Sequence, residues 1–334
     1  MKYRLINPMR RRAFLKAASL GAGALAVGWP LSPAWALAET LRDAAATRRM
    51  LAGSAISNPQ LHNPRVSGLV AEQCSIVVPE NVMKWDFIHP ERDRYEFTAA
   101  DELAAFAAQN SLRLRGHNLC WHDAQPPWLA PYATSENAAQ LLEEHIQTVA
   151  GRYAGRIHSW DVVNEAIDPA GPDGGMRRSL WYNLLGKNYI SIAFHAAAKA
   201  DPNALLTYNE YGLEEQGNDH EDRRDATLAL LRWMRKNRIP VHALGLQSHL
   251  TARYDELPDW SGMHDFLKKV AKLEIKIFIT ELDVDDSNLY GGKPGEADRE
   301  IAWICKNYLD NVLKHPQVEA VLTWGLVSHG VYCS

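Results

Sequence analysis

From residue 50 onward the chain alternates between short runs of aliphatic and β-branched residues and longer stretches whose apolar side chains recur every three or four positions. The runs at 50–56, 75–79, 112–119, 157–163, 204–208, 243–247, 275–280 and 320–324 predict buried strands. The stretches between them predict amphipathic helices. Thr98-Ala-Ala-Asp101 reads as a capping-box-like start, followed by Leu103, Phe106 and Ala107. From about 136 to 152, Leu142, Ile146, Val149 and Tyr153 share one face. A third helix is expected from about 179 to 200, ending at Asp201-Pro202. Others fit 220–237, 261–272 and 297–314, the last with Ile301, Ile304, Tyr308 and Val312 at helical spacing.

Eight strands alternating with helices call for a parallel sheet, either open and doubly wound or closed as a (β/α)8 barrel. Leu51-Ala-Gly-Ser-Ala55 lacks the glycine spacing of a phosphate-binding turn, which weighs against a nucleotide-binding open sheet. Polar clusters follow the second to eighth strands one after another, and such a ring belongs at the C-terminal mouth of a barrel. With no repeat or linker across 40–325, the α/β fold expected is a TIM barrel forming a single domain over 37–334.

Composition leaves that picture intact: 334 residues, 46% hydrophobic and 23% charged, suit one large globular domain. The N-terminus does change it. Arg10-Arg11-Arg12-Ala-Phe-Leu-Lys16 precedes a mild apolar stretch (17–27) and two small-x-small sites, Ala34-Trp-Ala36 and Ala36-Leu-Ala38. Residues 1–36 therefore read as an export signal of twin-arginine pattern, too short and glycine-punctuated to anchor in a membrane, and the remaining chain is expected to be periplasmic or secreted. Without that segment's six cations, 30 basic residues face 40 acidic ones, a formal charge of −10. Neither nucleic acid nor an anionic membrane surface suits such a chain; a neutral polymer does. Cys74, Cys120, Cys305 and Cys333 show no C-x-x-C spacing and read as small apolar residues.

Two glutamates stand where apolar runs end: Glu165 in Trp160-Asp-Val-Val-Asn-Glu165 and Glu281 in Ile277-Phe-Ile-Thr-Glu281. A desolvated carboxylate costs several kcal/mol unless paired, so folding alone explains neither. Two carboxylates facing one cavity are the minimum for cleaving a glycosidic bond, with retention at ~5–5.5 Å separation and inversion at ~6.5–9.5 Å. The surrounding motifs supply amides, imidazoles and indoles suited to a polyhydroxylated ligand. They include Glu80-Asn-Val-Met-Lys-Trp85, Arg115-Gly-His-Asn-Leu-Cys-Trp-His122, Tyr208-Asn-Glu-Tyr211, Gln247-Ser-His249 and Thr323-Trp-Gly325. His249 is expected to keep Glu281 ionised, while Asn164, Gln247 and the Glu281 charge neighbour Glu165 and hold it protonated as an acid. Any one tryptophan (Trp85, Trp121, Trp160, Trp324) is more often core than sugar platform.

These motifs, in order and spacing, resemble glycoside hydrolase family 10 endo-β-1,4-xylanases over roughly residues 50–327. The resemblance implies a barrel with Glu165 as acid/base and Glu281 as nucleophile. It implies Asn164 at the 2-hydroxyl of the cleaved sugar, with His117, Trp121 and Trp324 around that sugar. Glu80, Asn81 and Lys84 would hold the next sugar on the glycone side, Asn209 and Tyr211 would face the leaving group, and Gln247, His249 and Asp283 would support the carboxylates. The implied partners are xylan and xylo-oligosaccharides, acted on by a monomer without cofactor. A related β-1,4-glucanase, or a barrel that binds xylo-oligosaccharides without turnover, are the competing readings. Asp161 reads as a structural partner for an arginine or the backbone, and His122 as either a buried, satisfied imidazole or a sugar contact. No H-x-H or H-E-x-x-H pair accompanies the histidines, so no metal is expected.

Two departures from the family pattern stand out. Glu274 occupies a place where the family usually has a small residue, often Gly. After Thr323-Trp-Gly325 the chain reads Leu326-Val-Ser-His-Gly-Val-Tyr-Cys-Ser334, with Ser328 in place of an acid and neither a second Trp nor a final helix, so a truncated and destabilised barrel is expected.

Overall fold

The computed structural model describes residues 40–253, 258–289 and 295–327. The expected export signal and Ser328–Ser334 lie outside the described residues, as does Cys333. Among the described residues nine strands form: β1 Leu51–Ile56, β2 Ile76–Pro79, β3 Arg113–His117, β4 Ile157–Asn164, β5 Leu205–Glu210, β6 Ala243–Leu246, β7 His249–Thr251, β8 Lys276–Asp285 and β9 Val318–Thr323. Neighbours pair in parallel from β1 through β6. β6 then pairs with β8, β8 with β9, and β9 with β1, closing an eight-stranded barrel. Short β7 lies against the end of β8, where His249 pairs with Asp283. Among the described residues no helix follows β9.

Two apolar layers hold the barrel together. Inside it, Ala55, Ile76, Val78, Ala243, Phe278, Ala320 and Leu322 pack as one cluster. Outside, the helices press their apolar faces on the strands. Leu142, Ile146 and Val149 of helix Ala138–Arg152, and Ile190, Ala193 and Phe194 of helix Asn188–Ala200, are fully buried there. Above the inner apolar layer Arg115 reaches from β3 to Asp161 and donates to Ser159 Oγ at 3.0 Å, with both ionic side chains 1% exposed. Asp161 is thus the arginine's partner, and its other oxygen meets His117 Nδ1 at 3.0 Å.

Several local expectations change. The helix expected over 179–200 is two, Leu180–Leu185 and Asn188–Ala200, because Gly186 turns the chain at φ 57°. The capping box does not form: Thr98 is the first residue of helix Thr98–Gln109 and its N–H donates to Glu96 Oε1 at 3.0 Å. Asp101 is drawn to Arg152 Nε (3.0 Å) and Tyr153 Oη (2.9 Å). Trp85 and Trp160 are core residues. Trp85 stacks on His145 at 3.6 Å, and Trp160 lies so close to Gly116 that a Cβ there would meet its ring at 2.0 Å. Cys74, Cys120 and Cys305 are buried and unpaired with one another.

Candidate active site

Strands β2 to β9 all end at one mouth, and β5 and β8 run past the last apolar residue into it. Glu165 directly follows β4 and takes the left-handed conformation, φ 56°. That bend costs a non-glycine residue about 1–2 kcal/mol and is held from both sides. The Glu165 N–H donates to Asn209 O at 2.9 Å, and its carbonyl accepts from Arg177 Nε at 2.8 Å. The side chain then reaches three neutral donors: Asn164 Nδ2 (3.1 Å) and Gln247 Nε2 (3.0 Å) on Oε1, and Trp121 Nε1 (2.9 Å) on Oε2. His122 Nδ1 stands 3.9 Å from Oε2.

Glu281 lies within β8 and is 5% exposed. Its Oε1 accepts from Asn209 Nδ2 at 2.7 Å and its Oε2 is 3.4 Å from His249 Nε2. Asn209 Nδ2 also donates to Asn164 Oδ1 at 2.8 Å. An unbroken chain, Glu165–Asn164–Asn209–Glu281, thus links the carboxylates along one wall. Gly245 makes room for it, since a Cβ there would sit 2.1 Å from Asn209 Oδ1. Asn209 was expected at the leaving-group side. It is instead fully buried behind the carboxylates, with Oδ1 accepting from Thr280 Oγ1 at 2.8 Å.

Charge follows from these contacts. Burial pushes the Glu281 carboxyl up, but the His249 hydrogen bond, the His117 and His249 charges and the Asn209 amide outweigh it and hold the group below its ordinary value. Burial pulls the His249 ring down, and Asp283, 2.7 Å from Nδ1, together with Glu281 overcomes this and raises it to about 10. A cationic imidazole is therefore clamped between two carboxylates. Across the mouth, Lys84 Nζ donates to Asn81 Oδ1 at 2.9 Å and lies 5.2 Å from the Trp121 ring and 5.9 Å from that of Trp324. Asn81 Nδ2 is 3.4 Å from Glu80 Oε1. His117 meets Trp324 edge-on at 5.4 Å. Tyr211 Oη accepts from Arg177 Nη2 at 3.0 Å, with the Arg223 guanidinium over its ring at 4.1 Å.

The family model for glycosyl hydrolase family 10 matches residues 40–331. This chain belongs to glycosyl hydrolase family 10. A β-1,4-xylanase of Dictyoglomus thermophilum is 32% identical over 282 residues, covering 82% of this chain and 76% of that protein. Endo-1,4-beta-xylanase 2 of Claviceps purpurea is 37% identical over 236 residues, 70% and 68% of the two chains. Among solved structures, xylanase 10B of Thermotoga petrophila RKU-1 in complex with xylobiose superposes with a TM-score of 0.78 at 34% identity, covering 86% of each chain. The barrel is the (β/α)8 architecture of this family, and the protein is a glycoside hydrolase.

Four charged residues that brace this mouth went unmarked in the sequence: Arg177, Glu210, Glu214 and Arg223. Glu210 stood inside a quoted motif, and a glutamate among strand residues facing no solvent was a signal of its own. Arg177 and Arg223 lie in segments whose sequence gives no hint of contact with β4, since only the closed barrel brings them there.

Proposed function

We propose that this chain hydrolyses internal β-1,4-xylosidic linkages of xylan with retention, by double displacement between Glu281 and Glu165. A Glu281 carboxylate oxygen attacks the anomeric carbon and the bond to the leaving oxygen breaks. Glu165 delivers its proton to that oxygen. Water then attacks the same carbon, Glu165 takes the water's proton, and Glu281 is released as carboxylate. The observation that carries this reading is the hydrogen-bonded wall joining the two glutamates, one paired with a cationic imidazole and the other only with neutral donors. An ionised group suits nucleophilic attack; a group without a cationic partner is free to cycle a proton.

The rest of the mouth supports a sugar in that gap. Asn164 gives its Oδ1 to Asn209 and one Nδ2 proton to Glu165, leaving the other proton for a 2-hydroxyl. Trp121 and Trp324 flank Lys84 and offer indole faces to sugar C–H edges, with Glu80, Asn81 and Lys84 bonding hydroxyls beyond. Relatives named endo-1,4-beta-xylanase and a neighbour crystallised with xylobiose support xylan as substrate.

Reducing-sugar release from xylan, compared with carboxymethyl-cellulose, tests the substrate, and the anomer first formed, read by NMR, tests retention. Preference for cellulose would favour a glucanase, binding without release a sugar-binding barrel, and an α-anomer product would overturn the double displacement. The proposal extends to export of the folded chain, tested by whether residues 1–36 carry a folded reporter out of the cytoplasm in a twin-arginine-dependent way.

A further inference from the structure

The end of β5 and the loop that leaves it carry two glutamates four residues apart, Glu210 and Glu214, that are 0% and 2% exposed. Neither belongs to the pair assigned above. A buried carboxylate is kept only when its oxygens are used, and here each is aimed at one bend of the main chain. Glu210 Oε2 accepts from Ile167 N at 3.1 Å and from the Tyr208 hydroxyl, while its Oε1 accepts from Tyr211 N at 3.2 Å and lies 3.4 Å from Arg223 Nη1. Ile167 is two residues past Glu165, so this carboxylate ties down the far end of the left-handed bend that presents the acid/base. Arg177 and Arg223 close the same bend by donating to Ile167 O at 2.9 and 2.8 Å.

Glu214 does the equivalent across the cleft. Its Oε1 accepts from Ser248 N at 2.9 Å and its Oε2 from Leu213 N at 2.8 Å. Ser248 is also left-handed, φ 63°, and sits between Gln247 and His249. Its hydroxyl is fixed by Tyr308 Oη at 2.6 Å. Two strained bends thus carry the two halves of the site, and each ends on a buried carboxylate from one loop. Such bends persist only where the surroundings over-determine them.

We propose that Glu210 and Glu214 are positioning residues with separate duties, Glu210 holding the acid/base Glu165 in place and Glu214 holding His249, and through it the nucleophile Glu281. This rests on the roles proposed above for Glu165 and Glu281. The Glu210 carboxyl bonds the bend after Glu165 and the Glu214 carboxyl the bend before His249, so the two duties are separable by chemistry. Cleaving an unactivated xyloside needs a proton on the leaving oxygen; expelling a dinitrophenolate does not. Both need the nucleophile.

The test is kcat/KM of the full chain on xylotetraose and on 2,4-dinitrophenyl β-xylobioside, and the ratio of the two. Glu165→Ala should collapse the ratio, and Glu281→Ala should abolish both activities; if either fails, the role assignment falls and takes this inference with it. With those controls in place, Glu210→Gln should lower the ratio at least ~10-fold, since misplacing a catalytic group by about 1 Å costs on that order or more. Glu214→Gln should lower both activities at least ~10-fold with the ratio unchanged. Glu210→Asp, which keeps a carboxyl group, should restore the ratio to within about two-fold of the starting protein. Where a glutamine variant does not fold, Tyr208→Phe and Tyr308→Phe disturb the same two bends more gently, and the first should lower the ratio while the second lowers both activities together. An unchanged ratio at position 210, or a ratio change at 214, overturns the proposal while leaving the two catalytic glutamates where they are.

Discussion

Glu165 and Glu281, the two glutamates proposed to act together, are the same residue in opposite company. Glu281 is met by a cationic imidazole and a buried amide, and its side chain is 7% exposed. Glu165, at 15%, is met by an indole and two amides, and the imidazole nearest to it, that of His122, is held below its ordinary value by burial first and then by the Arg177 charge. A cationic donor adds Coulomb attraction to the hydrogen bond and so favours the ionised carboxylate more than a neutral donor does. The chemical difference between the two residues is therefore built from partners supplied by other parts of the barrel: β5 and β7 for one, the segments after β3 and β6 for the other. A carboxylate's identity says little about its role; the charge of what it touches says more.

The sharpest way to break that comparison is to delete each member in turn. Glu281→Ala should lower kcat on xylan by roughly 10³–10⁵-fold at every pH, because no other group can capture the anomeric carbon. Glu165→Ala should lose less, about 10²–10⁴-fold, and should lose the alkaline limb of its pH profile while keeping the acid limb. Initial-rate profiles of both variants decide this. If the alkaline limb survives in Glu165→Ala, another group is supplying the proton.

Next in size is the ion pair beneath both glutamates. Asp161 neutralises Arg115 and also orients His117, which contributes to holding Glu281 low. Asp161→Asn leaves a guanidinium buried without its charge partner, and should destabilise the fold by about 3–5 kcal/mol in urea denaturation. It should also raise the acid limb of activity, since His117 would no longer be held toward the nucleophile. A loss of stability without any change in that limb would mean that the lumen pair serves the fold alone.

The strands and the residues at their ends were legible because apolar runs and the polar residue that stops each one are local features. What lay beyond was set by closure of the barrel. β5 and β8 were expected to stop at Tyr208 and Thr280, yet their backbones stay paired through Glu210 and Asp285, because a neighbouring strand satisfies the main chain whatever the side chain is. Asn209 faced inward for the same reason: strand alternation, continued past the apolar run, puts it behind the carboxylates. Asp101 had a local cap available and took Arg152 instead, since a charged partner across two helices outweighs one backbone N–H. Arg177 and Arg223 carried no local sign at all.

A smaller effect sharpens the role of His249. Its ring is raised to about 10 in the fold, so its contribution to stability is complete below its ordinary value near 6.5 and is lost as pH rises from there to about 10. Glu281 is held low, so its contribution is present above the ordinary carboxyl range and lost as pH falls through its lowered value. The clamp therefore stabilises most in mildly acidic solution. His249→Asn should flatten the fall in melting temperature between pH 6.5 and 10 and move the acid limb of kcat/KM upward by about one pH unit, as Glu281 loses its cationic partner. Unchanged acid-limb position in that variant would separate the ionisation of Glu281 from the imidazole.

The smallest effect tests whether left-handed backbone is costly in this protein wherever it occurs. Glu274 takes φ 56°, the same value as Glu165, but on the surface before β8, with its N–H donated to Ala271 O at 3.0 Å and its side chain 87% exposed beside Arg235 at 3.6 Å. This glutamate stands away from the mouth, and the backbone itself favours glycine here: only glycine takes that φ without a Cβ penalty. Glu274→Gly relieves about 1–2 kcal/mol of strain and gives back about 0.5–1 kcal/mol of chain entropy. The net should be a gain of up to about 1.5 kcal/mol and a melting temperature higher by about 2 °C, with activity unchanged. Were Glu274→Gly destabilising, the φ 56° conformation would carry no cost beyond the added chain entropy, and the buried supports around Glu165 would have to be explained by placement of the side chain alone.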